Sequence, residues 1–172
     1  MASTPRNDDI QGIIHSYYGN AVPESHAATA AELTMSVIRS MGCYERFAKL
    51  SGLSLNALLV LMALHYSPEP CTQKSIGELM WLPKQTVGSI VNGFKKKGLV
   101  DESASPIDGR AKAIFLTEEG EKLCSEMFER LRAIESDALR ATDVEGIEAA
   151  IASVNAYTEA LQQGIDQMQQ VR

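Results

Sequence analysis

Residues 72–117 read TQKSIGELMWLPKQTVGSIVNGFKKKGLVDESASPIDGRAKAIFLT, and the hydrophobic period changes partway along them. Thr72 is a good helix N-cap, and a short helix to about residue 80 would turn Ile76, Leu79 and Met80 inward. A tight connection through Trp81 and Leu82 leads to Pro83, which suits a first helical turn because the N–H it lacks would have no partner there. From 83 to 97, Val87, Ile90, Val91 and Phe94 follow the i, i+3, i+4, i+7 spacing of one helix face. Gly98 fits the left-handed position just past a helix end. The period then becomes two. Leu99-Val100 and Ala113-Ile114-Phe115-Leu116 read as strands, and the turn-rich 103–110 between them contains Asp108-Gly109. That is a β-hairpin with a polar tip.

The flanks are helical. Leu33, Val37, Met41, Tyr44 and Phe47 recur at spacings of three and four within a helix over about 24–50, closed by Ser51-Gly52. Ser54 caps a helix over 55–66 that is apolar nearly all round and therefore belongs in the core, and Pro68 and Pro70 follow its end. Thr117 caps a helix to about residue 139, and Thr142 or Asp143 caps the last one. In that last helix Val144, Ile147, Ile151, Val154, Leu161, Ile165 and Met168 form a 3-4 stripe, with Thr158 in the one polar slot. A stripe of this length asks for a partner helix. The expected class is mainly α: a winged helix-turn-helix with a small β-hairpin wing, flanked by N- and C-terminal dimerisation helices. Residues 1–22 would be a flexible arm, 23–52 the N-terminal dimerisation helix, 53–117 the DNA-binding region and 118–172 the C-terminal dimerisation helices.

A helix-turn-helix presents its second helix to the major groove, where base edges are distinguishable. The outward side of 83–97 would carry Lys84, Gln85, Thr86, Ser89, Asn92 and Lys96, all able to donate to or accept from bases and phosphates. Gly88 on that side would let the backbone come close to DNA. The order Leu82-Pro83-Lys84-Gln85-Thr86-Val87, Lys97-Gly98-Leu99-Val100, Asp108-Gly109-Arg110, Leu116-Thr117-Glu118-Glu119-Gly120 resembles the MarR family, sharply over about 72–120 and in layout over about 30–140. The resemblance implies a winged helix whose terminal helices intertwine in a homodimer. It also implies that Asp108 and Arg110 form the wing's acidic-x-Arg motif, the arginine entering a minor groove and the carboxylate orienting it; Lys112, by its charge, is expected on the DNA side as well. Where this chain has Phe94 and Lys95, the family often has leucine and an acid.

Charge supports that arrangement. The 172 residues carry a formal net charge of −6. Residues 72–116 nevertheless hold seven positive and four negative side chains, so they are +3 and the remainder −9. Basic charge thus falls where phosphates would lie. Double-stranded DNA and a second copy of the chain are the expected partners, and a repressor on a pseudo-palindromic operator the expected role.

The resemblance also implies a small-molecule effector held between the dimerisation helices and the winged helix, with Tyr44, Phe47, Met62, His65 and Tyr66 as candidate lining. Those five are equally ordinary core residues. Cys43, between Arg39 and Arg46 on the first helix, is a candidate redox sensor. A redox-sensing regulator of the same fold, or a winged-helix protein-interaction module without DNA binding, therefore stays open. No phosphate loop, HExxH, GxSxG or CxxC occurs, so an enzyme and a cofactor are not expected. The three cysteines are scattered, and the three histidines lack metal-ligand spacing. The longest apolar stretch, 55–64, is interrupted by Asn56 and too short for a bilayer, and the acidic Asp8-Asp9 start is unlike a secretory signal. A cytoplasmic protein with no membrane partner is expected.

Overall fold

The computed structural model describes residues 23–104 and 112–170. They contain helices α1 (Glu24–Leu50), α2 (Leu55–Tyr66), α3 (Gln73–Met80) and α4 (Lys84–Lys96), strands β1 (Val100–Ala104) and β2 (Lys112–Leu116), then α5 (Glu118–Arg140) and α6 (Val144–Gln170). The chain divides into two compact units, one through Glu121 and one from Lys122. The expected arm at 1–22 and the hairpin tip lie outside the described residues.

In the first unit α2 is the hub. Ser54 caps it, its side-chain oxygen accepting from the Ala57 N–H at 3.2 Å. Ala57, Leu58, Val60, Leu61, Ala63 and Leu64 are all buried, and the helix touches α1, α3, α4 and β2. A helix apolar on every side can be surrounded in this way. Thr72 opens α3 with a capping box: its Oγ1 accepts from the Ser75 N–H at 3.1 Å, and the Ser75 Oγ accepts from the Thr72 N–H at 2.8 Å. Ile76 is fully buried, but Leu79 is 60% exposed, against the expectation that it would face inward. Residue 80 lies about 40° round the helix from residue 76, whereas residue 79 lies about 60° to the other side, past the edge of the core.

The hairpin pairs Val100 with Leu116, Glu102 with Ile114 and Ala104 with Lys112, in antiparallel register. The first strand extends further than Leu99-Val100 suggested, because Glu102 and Ser103 continue the pairing in spite of their polarity. A third segment joins at Cys71, whose carbonyl accepts from the Ile114 N–H at 2.7 Å. The wing stem is thereby tied to the chain just before α3.

The exit from the hairpin explains the Leu-Thr-Glu-Glu-Gly sequence. Thr117 Oγ1 donates to the Gly98 carbonyl at 2.6 Å and accepts from the Gly120 N–H at 3.1 Å. The Thr117 N–H donates to the Leu99 carbonyl at 3.0 Å. Gly98 holds φ 71°, which turns the chain out of α4. Gly120 lies so close to Leu99 that a β-carbon there would fall 2.0 Å from the Leu99 carbonyl oxygen.

The second unit contains the rest of α5, with Cys124, Met127, Phe128 and Leu131 buried, and α6. Asp143, rather than Thr142, caps α6: its Oδ2 accepts from the Gly146 N–H at 3.2 Å. Along α6 the apolar stripe faces solvent, with Val144, Ile151, Leu161, Ile165 and Met168 each about half exposed or more. Among the described residues no single helix is long and apolar enough to cross a membrane.

Gly120→Ala forces the hairpin exit apart and should cost roughly 1–3 kcal/mol, the range for overpacked sites. Chemical denaturation checks this, and an unchanged unfolding midpoint would contradict the close contact.

Candidate nucleic-acid interface

Helix α4 is divided cleanly. Val87 and Val91 are fully buried, Phe94 is nearly so and Ile90 is half-buried. Around the rest of the helix Lys84, Gln85, Ser89, Asn92 and Lys96 are exposed, and Thr86 is half-buried. The six residues expected from sequence are therefore on one helix and directed away from the core, Thr86 least so. Pro83 is the N-cap rather than the first helical residue, and no side chain caps this end. The first-turn N–H groups thus keep the partial positive charge of a helix start beside Lys84.

Gly88 also has a neighbour that its sequence position did not suggest. A β-carbon there would lie 3.2 Å from the Gln73 Oε1. The missing side chain gives room to the Gln73 side chain of α3.

The basic charge is also distributed differently. Glu102, on β1, has a side chain only 8% exposed. Its Oε2 accepts from Lys95 Nζ at 2.7 Å and from Lys112 Nζ at 3.2 Å. Lys95 thereby joins the last turn of α4 to the wing stem. Lys112, expected on the DNA side, is 72% exposed but shares the same carboxylate. Lys74 pairs with Glu78 at 3.7 Å. Lys84, Lys96 and Lys97 carry no ion pair within the described residues. Asp108 and Arg110 lie outside those residues.

In the sequence Glu102 is simply one of four negative charges in 72–116. Strand register could have found half of its role. Lys112 stands opposite Ala104, two residues along from Glu102, which makes it a diagonal neighbour on the same face. The Lys95 contact joins two different elements and leaves no signal in sequence spacing.

Of the candidate effector residues, Tyr44, Phe47, Met62 and His65 are half-buried and Tyr66 is exposed. The His65 and Tyr66 rings meet edge to face at 4.8 Å. His65 Nδ1 lies 3.0 Å from Glu121 Oε2. A cavity of about 590 Å³ opens near the wing stem, lined in part by Leu64, Cys71, Ser103, Ile114, Phe115 and Glu121; none of the five residues lines it. Cys43 is exposed, whereas Cys71 and Cys124 are buried. Among the described residues no group of His, Cys, Asp and Glu could hold a metal ion.

Hydrogen bonding from Lys95 and then from Lys112 holds the Glu102 carboxyl below its ordinary value of 4.5, with burial opposing them. A carboxyl lowered on folding stabilises the fold above its unfolded value and loses that contribution as pH falls through the folded one. The stability difference between the unaltered protein and Glu102→Gln should therefore be full near neutrality and shrink as pH drops below 4.5. Urea titrations of both proteins across pH 3–7, approximately the carboxylate range, measure it. A gap that does not change with pH would contradict the ion pairs.

Many solved structures share the fold, three of which illustrate it. The MarR family regulator NMB1585 from Neisseria meningitidis superposes with a TM-score of 0.69 at 23% identity, covering 79% of this chain and 95% of its own. The MarR family transcription regulator SP03579 gives 0.67 at 18% identity, covering 81% and 92%. CouR from Rhodococcus jostii, bound to p-coumaroyl-CoA, gives 0.59 at 22% identity, covering 78% and 89%. No curated protein sequence matches significantly. The MarR family model matches residues 51–111, from the C-cap of α1 to the hairpin. Over that stretch, about a third of the chain, the sequence is similar to the family, and over most of its length the chain has the winged-helix fold of these structures.

Proposed function

We propose that this protein is a transcriptional regulator, acting by binding rather than catalysis, that engages double-stranded DNA as a homodimer. The observation that carries the reading is the polar face of α4. Lys84, Gln85, Ser89, Asn92 and Lys96 are exposed on the helix that a winged helix places in the major groove, while Val87, Val91 and Phe94 anchor its back. A protein-interaction module has no need of lysines on that face, and this favours DNA as the partner. Arg110 at the wing tip, oriented by Asp108, would add a minor-groove contact.

Two exposed apolar surfaces support a dimer. Val37, Ile38 and Met41 on α1 are 46%, 55% and 42% exposed, and Val144, Ile151, Leu161, Ile165 and Met168 of the α6 stripe are exposed, with Ile147 and Val154 half-buried. Apolar faces of this size are rarely left to solvent. Two copies would read two half-sites of a pseudo-palindrome. The usual mode would be repression relieved by a small molecule. CouR bound to p-coumaroyl-CoA shows that another protein with this fold holds a small ligand, and Tyr44, Phe47, Met62, His65 and Tyr66 are the proposed lining here. The exposure of Cys43 favours it over the two buried thiols as a redox input to the same regulator. Release of bound DNA by peroxide in the unaltered protein, and not in Cys43→Ser, would be the sign of it.

The direct test is selection of duplexes from a random pool, followed by affinity measurement at several salt concentrations. Lys84→Ala should weaken binding to selected and random duplexes alike and reduce the salt slope by about 1. Gln85→Ala should instead erode the preference for the selected duplex. Binding that does not weaken with salt would contradict phosphate neutralisation.

Leu161→Glu places a charge in the α6 stripe and should shift the protein to a monomer in sedimentation velocity, with loss of operator affinity. A persistent dimer would place the interface elsewhere.

A further inference from the structure

Trp81 is the only tryptophan in the chain, and the fold gives no reason for it. The residue stands between α3 and α4 with φ 54°, the left-handed region that non-glycine residues enter at a cost. Its N–H and the Leu82 N–H both close onto the Gly77 carbonyl, so the turn uses the backbone. Glycine would make the same turn with less strain. The indole itself is 82% exposed. A large aromatic group is thus held in solvent on a conformation that disfavours it.

We propose that Trp81 is a DNA-backbone contact, its ring lying against a deoxyribose and its indole N–H donating to a phosphate oxygen beside the groove that α4 enters. The inference rests on the DNA-binding reading above and extends it to a residue outside the helix. Two residues, Leu82 and Pro83, separate Trp81 from Lys84, and the first turn of α4 exposes Lys84 and Gln85 with no capping side chain. The indole is therefore continuous with the end of the helix that approaches phosphates. Its chemistry also fits. The indole nitrogen is a donor only, phosphate oxygens are acceptors, and the ring is an apolar face for the sugar. A protein partner is a poorer match. Beside Trp81 the exposed apolar neighbour on α3 is Leu79, and two side chains fall far short of the ~800 Å² that each partner of a stable complex buries.

Because Trp81 is the sole tryptophan, its fluorescence reports this site alone in the unaltered protein. The probes are a duplex selected by the protein from a random pool and a random-sequence duplex. Saturation with either should reduce acrylamide quenching several-fold. Trp81→Gly should lower affinity for both duplexes by the same factor, about tenfold for a hydrogen bond to a charged group. The salt slope should not change, since no charge is lost, and the melting temperature should rise. Trp81→Phe should recover part of the affinity through the ring.

Unchanged quenching at saturation, or unaltered affinity in Trp81→Gly, overturns the proposal. So does quenching protection that grows with protein concentration in the absence of DNA, which would mark a protein interface. If Lys84→Ala loses binding while Trp81→Gly does not, this inference fails and the α4 reading stands. If the unaltered protein binds no duplex, both fail.

Discussion

The burial of Val87, Val91 and Phe94 in the core around α2 fixes which side of α4 meets solvent. Each such side chain contributes about 1.5–3 kcal/mol when removed from water, so a rotation by one residue would forfeit most of that and bury Lys84 or Asn92 instead. The polar face is therefore held by its apolar back. The wing depends on the same anchor. Phe94 is the last buried residue of α4, Gly98 turns the chain, and the Leu99 carbonyl receives the Thr117 N–H where the hairpin returns. Hairpin and helix consequently meet at one junction a few residues from the end of the helix.

Charge is arranged around that junction. Over the whole chain the formal charge is −6, which would repel a polyanion if it were spread evenly. The lysines of the 95–97 run do not act alike. Lys95 turns back to Glu102, together with Lys112, while Lys96 and Lys97 are exposed. A nearly buried carboxylate neutralising two cations strengthens the connection between helix and wing stem while reducing the unpaired charge beside them. Lys84 at one end of α4 and Lys96 and Lys97 at the other are left exposed, with no ion pair among the described residues.

Much of this was legible in the sequence. The 3.6-residue period in 83–97, the all-round apolarity of 55–66 and the caps at Ser54, Thr72 and Thr117 each name an element, because each is a local rule. The inward and outward faces of α4 followed from the same period. What escaped was non-local or geometric. Leu79 obeyed the spacing but lay past the edge of the core, since an eight-residue helix buries only a narrow strip. The contact between Gly88 and the Gln73 side chain joins two helices and has no signal in spacing. The Glu102 pairs join elements whose proximity no spacing rule encodes. Trp81 looked like a plain connector, since nothing in its neighbours announces a positive φ.

The central claim is that the polar face of α4 enters the major groove in two copies. Dimethyl sulfate protection on a selected duplex tests it directly, because methylation at guanine N7 reports the major-groove edge. The account predicts two protected clusters about one helical turn, roughly 10 base pairs, apart. Protection confined to one cluster, or a bound duplex whose guanines all stay reactive, would contradict it.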